Sequence, residues 1–187
     1  MDSTHFIIEG IRHITDPGGY DHMLFLLALS CNLEWFQWKK TLWLITAFTV
    51  GHSITLGLSA AGLIAIGSDL IELLIAISIL MTAIAGLISQ YVKRDFGIIL
   101  PYVITTLFGL IHGAGFSTYF KMIASESEFI GQLFQFNLGV EIGQILILAI
   151  ITSIRFISKE IQVEKRFNQI SLLLASLLSI IMVIDRI

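Results

Sequence analysis

Six stretches of the chain are nearly free of charge, and each approaches the length of a membrane crossing. They lie near residues 20–36, 41–66, 70–92, 98–120, 130–155 and 168–186. A bilayer core of about 30 Å takes roughly 20 apolar residues in a helix that rises about 1.5 Å per residue. The first stretch is short, and the second and fifth are long enough to tilt or kink. Ahead of them, Ile7, Ile8, Ile11 and Ile14 recur at helical spacing, with Glu9, Arg12 and Asp16 between them. That spacing predicts a short amphipathic helix lying on the membrane face or dipping into it. The DPGG sequence at Asp16–Gly19 predicts a turn into the first stretch. Pro101 falls in the first turn of the fourth stretch, where its missing N–H costs little.

The pattern therefore predicts an all-α, polytopic membrane protein: a bundle of six transmembrane helices with a short N-terminal amphipathic helix, in a single domain over residues 1–187. Composition agrees. The chain is 56% hydrophobic and 13% charged, and its mean hydropathy is +0.87. Soluble domains are about a quarter charged, so this chain cannot cover a water-facing surface and its expected surroundings are the lipid bilayer. No basic run points to nucleic acid, and no phosphate-binding loop points to ATP hydrolysis. The single Cys31 lies in an apolar run with no disulfide partner. The first 19 residues lack a basic segment leading into an apolar one, so the membrane stretches themselves are expected to direct insertion.

Lys and Arg sort the connections. Lys39, Lys40, Lys93, Arg94, Arg155, Lys159, Lys165 and Arg166 fall on one side of a six-span arrangement; Arg12, Lys121 and Arg186 fall on the other. The positive-inside rule places the eight in the cytoplasm and both termini outside it. Three spans plus three would permit an inverted repeat with His52 and Glu141 in corresponding helices.

Ionisable groups inside a membrane cost roughly 2.5–3.5 kcal/mol each on insertion scales, and they usually face the bundle interior. Here they are few. His52 lies about mid-way along the second stretch, with Thr49, Thr55 and Ser59 on its helix face. His112 lies in the fourth stretch among Gly109, Gly113 and Gly115, which allow close approach. Glu141 lies inside the fifth, with Asn137 and Gln144 on its face. Asp21 and His22 open the first stretch, and His13 lies in the amphipathic segment. An adjacent acid can orient an imidazole. Imidazoles with carboxylates suit a divalent transition metal such as nickel, cobalt or zinc, bound as substrate or as a resident ion. The expected metal residues are His13, Asp21, His22, His52, His112 and Glu141, with His13, Asp21 and His22, beside Asp16 and Glu72, on the outer side and His52, His112 and Glu141 deeper.

The sequences GIRHITDPGGYDHMLFLLAL, TAFTVGHSITLGLS, FGLIHGAGFS and LGVEIGQ resemble those of the HupE/UreJ family of small bacterial membrane proteins, over nearly the whole chain. The resemblance implies a permease or accessory protein of the bacterial inner membrane that supplies nickel or cobalt to hydrogenase or urease. It implies roles in metal passage for the same six residues. Metalloenzyme maturation proteins and further copies of this chain are the candidate protein partners.

Three functions remain open on the residues alone. The first is entry of a divalent metal from the outer face through a path of His and carboxylate groups. The second is a membrane-embedded zinc enzyme of hydrolase type built on the same histidines, although no HExxH pair is present. The third is a structural or assembly subunit whose polar residues serve helix contacts. Sites strung along a path favour the first, a tight cluster with an acid placed on a water favours the second, and a bundle with no cavity favours the third.

Overall fold

The computed structural model describes residues 4–34, 37–92 and 99–187. They form helices α1 (Thr4–Thr15), α2 (Asp21–Cys31), α3 (Trp38–Ala60), α4 (Ser68–Ser89), α5 (Ile99–Gly115), α6 (Ser117–Ile123), α7 (Phe129–Glu160) and α8 (Glu164–Ile184), with no strand among the described residues. Many side chains that point out of the bundle are apolar: Leu107, Ile150, Leu173 and Leu177 are each more than half exposed. An apolar surface of this extent suits lipid and not water.

Among the described residues the count of candidate spans is four or five, short of the six expected. Helices α3, α4, α7 and α8 are long and apolar enough to cross a membrane, and α5 with α6 makes a fifth candidate, bent by 54° at their junction. Gly113, Ala114 and Gly115 precede that junction, and glycine is a weak helix former. The first expected span fails on length: α2 has 11 residues, about 16 Å. It ends where Asn32 turns back, its Nδ2 donating to the carbonyls of Ala28 at 2.8 Å and Thr82 at 3.0 Å. The last two residues of that expected span, 35–36, lie outside the described residues, as do Lys93, Arg94 and the first residue of the fourth expected span.

The N-terminal helix is no surface float. Phe6, Gly10 and Ile14 are buried, and α1 lies along α7 so closely that a Cβ on Gly10 would overlap the Phe136 carbonyl oxygen, and one on Gly139 the Ile7 carbonyl oxygen. The contacts advance together: Ile7 meets Gly139, and Ile11 and Ile14 meet Gly143. Further along, Arg155 of α7 bonds Ser30 and Leu33 at the end of α2. Helices α1 and α2 thus follow α7 in the same direction, with an interruption between them. Pro17 has no N–H and holds Asp16 extended (φ −66°, ψ 118°). The Asp16 carboxylate accepts the Gly18 N–H at 2.9 Å, which caps the turn.

Helix α3 runs against α7, pairing Gly57 with Leu133, His52 with Asn137 and Thr46 with Glu141. It runs alongside α5 in the same sense, where Gly109 meets the Phe48 backbone and Gly113 the His52 backbone with no room for a Cβ. Two backbones in contact at these glycines fix the depth of His52 relative to His112.

Candidate metal centre

The break between α1 and α2 brings His13, near the end of one half-helix, against His22, at the start of the next. Their ring centroids are 4.6 Å apart. His52 of α3 stands 5.7 Å from His13 and 6.3 Å from His22, and His112 of α5 stands 5.2 Å from His22. One ring nitrogen from each of His13, His22 and His52 lies within 4.8 Å of the other two. Four histidines from four helices therefore meet inside the bundle.

Hydrogen bonds orient three of the rings. His112 Nδ1 lies 2.8 Å from the Phe108 carbonyl oxygen; a carbonyl only accepts, so Nδ1 carries the proton. His22 Nδ1 lies 2.9 Å from Asp21 Oδ1 and donates to the carboxylate. The same oxygen accepts the His22 backbone N–H at 2.8 Å. His52 Nδ1 faces Asn137 Oδ1 at 3.3 Å, while Asn137 Nδ2 donates to the Leu133 carbonyl at 2.8 Å. That second bond fixes the amide with its oxygen toward His52, so His52 Nδ1 donates as well.

With Nδ1 protonated, each of these rings presents a bare lone pair on Nε2. The Nε2 atoms of His13, His22, His52 and His112 are all buried, and none has a hydrogen-bond partner. Buried polar nitrogens without partners are costly and rare, and such atoms on neighbouring rings fit a bound ligand. Neutral imidazoles that donate Nδ1–H to a carboxylate, an amide oxygen or a backbone carbonyl, with Nε2 turned inward, fit a transition-metal ion. The surroundings are aromatic: Phe116 lies 3.9 Å from His13, Phe48 lies 5.1 Å from His112, and Phe136 stacks on His52 at 6.4 Å.

The six expected residues divide. His13, His22, His52 and His112 come together, and Asp21 holds His22 instead of facing the ligand. His22 does not stand at an outer mouth: it is buried with the other rings, because α1 extends the chain beyond it. Glu141 stands apart. Thr46 Oγ1 lies 2.5 Å from its carboxylate, six residues before His52 on α3 and so about 9 Å away along the axis. Between the two levels, Thr49 donates to Gln144 Oε1 at 2.8 Å. Glu72, near the start of α4, pairs with Arg186 at 3.1 Å.

Two participants were not legible as such. Phe116 gives no polar signal, and Glu9 reads as the polar face of an amphipathic helix. Yet Phe116, Glu9, Arg12 and Tyr119 share with His13 the wall of a cavity beside the cluster.

A family model described as HupE / UreJ protein matches residues 1–186. The chain belongs to the HupE/UreJ family. Neither the curated proteins nor the solved structures gave a match. The family match spans all four histidines and both α1 and α2.

Proposed function

We propose that this HupE/UreJ protein carries a divalent transition-metal ion, nickel or cobalt by family, inward across the bacterial inner membrane, with the ion as substrate at His13, His22, His52 and His112. The carrying observation is that His13, His22, His52 and His112 each have a buried, partnerless Nε2, with one ring nitrogen from each of His13, His22 and His52 within 4.8 Å of the other two. A divalent ion on four neutral imidazoles keeps its double charge, offset in part by Asp21, whose carboxylate bonds His22. Such a site is strong enough to admit the ion and weak enough to release it. From His52 the polar pairs Thr49–Gln144 and Thr46–Glu141 continue toward the end of the bundle that carries Lys159, Lys165 and Arg166, the cytoplasmic end by the positive-inside rule. In this reading α1 and α2 together make one interrupted crossing, with the break at the ion, as in transporters built on discontinuous helices. Both termini then lie outside the cytoplasm.

One observation favours a second reading, a resident catalytic ion: the donors gather at a single point. Asp21, the acid nearest the cluster, is engaged by His22 and not free to act on a water, which weighs against it. Metal accumulation by cells expressing the protein separates the two. Alanine at His22 or His52 is expected to abolish accumulation at unchanged protein level. Unchanged uptake of nickel, cobalt and zinc in both variants would refute transport.

A further inference from the structure

A cavity of about 620 Å³ opens where α1 meets α6, lined by Glu9, Arg12, His13, Asp16, Phe116 and Tyr119 among others. Of the four clustered histidines, only His13 belongs to this wall among the described residues. Its ring lies under Phe116, 3.9 Å away, and its Nε2 is one of the partnerless nitrogens. The cavity and the cluster therefore share one residue, and an ion arriving from this side meets His13 first.

The cavity is too large and too mixed in charge for a bare ion. Six waters around a metal take about 180 Å³, at ~30 Å³ per water. Small organic ligands occupy clefts of about 300–1,000 Å³. The wall also holds a guanidinium. Arg12 is 73% exposed along its side chain, and among the described residues its one bond is from Nη1 to Glu9 Oε1 at 2.9 Å. The rest of its donor fork is available to a carboxylate. Glu9 is held in turn by the Tyr119 hydroxyl, which donates to Oε2 at 3.2 Å. With Glu9 and Asp16 on the same wall, the site does not repel a cation; what Arg12 adds is a charged donor that the carboxylate of a metal chelate can use and a bare ion cannot.

We infer that this cavity receives the metal as a chelate with a small carboxylate-bearing ligand, an α-hydroxy or α-amino acid, and that the ion passes to His13 by ligand exchange. The inference rests on the transport reading and names the form of its substrate. Arg12 holds the chelator carboxylate. Each metal–chelator bond that breaks is replaced by one from an imidazole Nε2 lone pair. The metal keeps its oxidation state, and the chelator leaves as its anion by the way it came.

The test uses the full chain in proteoliposomes, with nickel supplied at a fixed free-ion concentration while total chelate is raised. Citrate and histidine represent the two acid types, and ethylenediamine is a chelator with no carboxylate. The wild type is expected to take up nickel several-fold faster as citrate or histidine chelate accumulates, and not to respond to the ethylenediamine complex. Arg12→Gln is expected to lose that rise and Arg12→Lys to keep part of it. The metal content of each purified variant confirms that the imidazole cluster has formed. Uptake that follows the free ion alone, a rise with ethylenediamine as well, or a full rise in Arg12→Gln would overturn the inference and leave transport standing. If the wild type takes up no nickel in any form, the transport reading fails and this one with it.

Discussion

The Asp21 carboxylate grips its neighbour His22 twice through one oxygen, accepting the backbone N–H at 2.8 Å and the ring Nδ1–H at 2.9 Å. The clamp holds the imidazole with Nε2 turned into the cluster. It also sets a negative charge in the first turn of α2, where the helix dipole is positive and a cation would otherwise be repelled.

Replacing Asp21 by alanine frees the His22 ring and leaves the helix terminus uncompensated. Metal affinity of the purified protein, measured by calorimetry, is expected to fall about 10–100-fold. Asp21→Asn keeps an acceptor for Nδ1 and is expected to lose less. Wild-type affinity in Asp21→Ala would mean the clamp has no part in holding metal.

The meeting of α3 and α5 gives a test that leaves every histidine in place. A side chain at Gly113 would run into the His52 carbonyl oxygen and the Thr55 hydroxyl, so Gly113→Leu must push the helices apart. Metal binding is expected to be lost. Gly131→Leu is the control, since nothing lies within 4 Å of a Cβ there, and its metal content should match the wild type. Normal binding in Gly113→Leu would show that the cluster does not depend on that contact.

Glu141 separates a path from a single site. It bonds Thr46 and not a histidine, so Glu141→Gln is expected to keep the equilibrium metal content of the cluster while slowing uptake into proteoliposomes. Loss of bound metal in Glu141→Gln would place the carboxylate at the ion after all.

Arg155 ties the end of α2 to α7 and α8. It is buried, and it donates to the carbonyls of Ser30 at 2.6 Å and Leu33 at 2.9 Å and to Glu164 at 3.2 Å. In Arg155→Met the Leu33 carbonyl loses this donor while the Ser30 carbonyl keeps the Leu33 N–H, and an unmet buried acceptor costs about 1–3 kcal/mol. A lower melting temperature in detergent is expected, with metal content per folded molecule unchanged. An unaltered melting temperature would contradict this account of how α2 is tied to α7 and α8.

Much of this was legible in the sequence, and for physical reasons. Apolar length marked α3, α4, α7 and α8, since lipid demands long uncharged helices. The rarity of charge inside them drew attention to His52 and His112. What the sequence concealed was depth. Asp21 and His22 open an apolar run and so read as its outer end, because Glu9 and Arg12 make the preceding helix look like a surface element. Only the close seating of Gly10 and Gly139 against α7 and α1 reveals that α1 lies inside the bundle, which carries His22 to the middle. Arg155 reads as a loop residue, because nothing in a sequence announces that the carbonyls at the end of α2 need a donor. Glu141 sat on the right helix face but at the wrong level, and level follows from how helices slide past one another.

The most direct test of the central claim is X-ray absorption at the metal edge, on purified protein loaded with nickel or cobalt. Scattering from imidazole rings is expected to dominate, and to weaken when any one of His13, His22, His52 or His112 is replaced by alanine. A metal surrounded by oxygen alone, or a spectrum untouched by all four substitutions, would contradict a four-imidazole site.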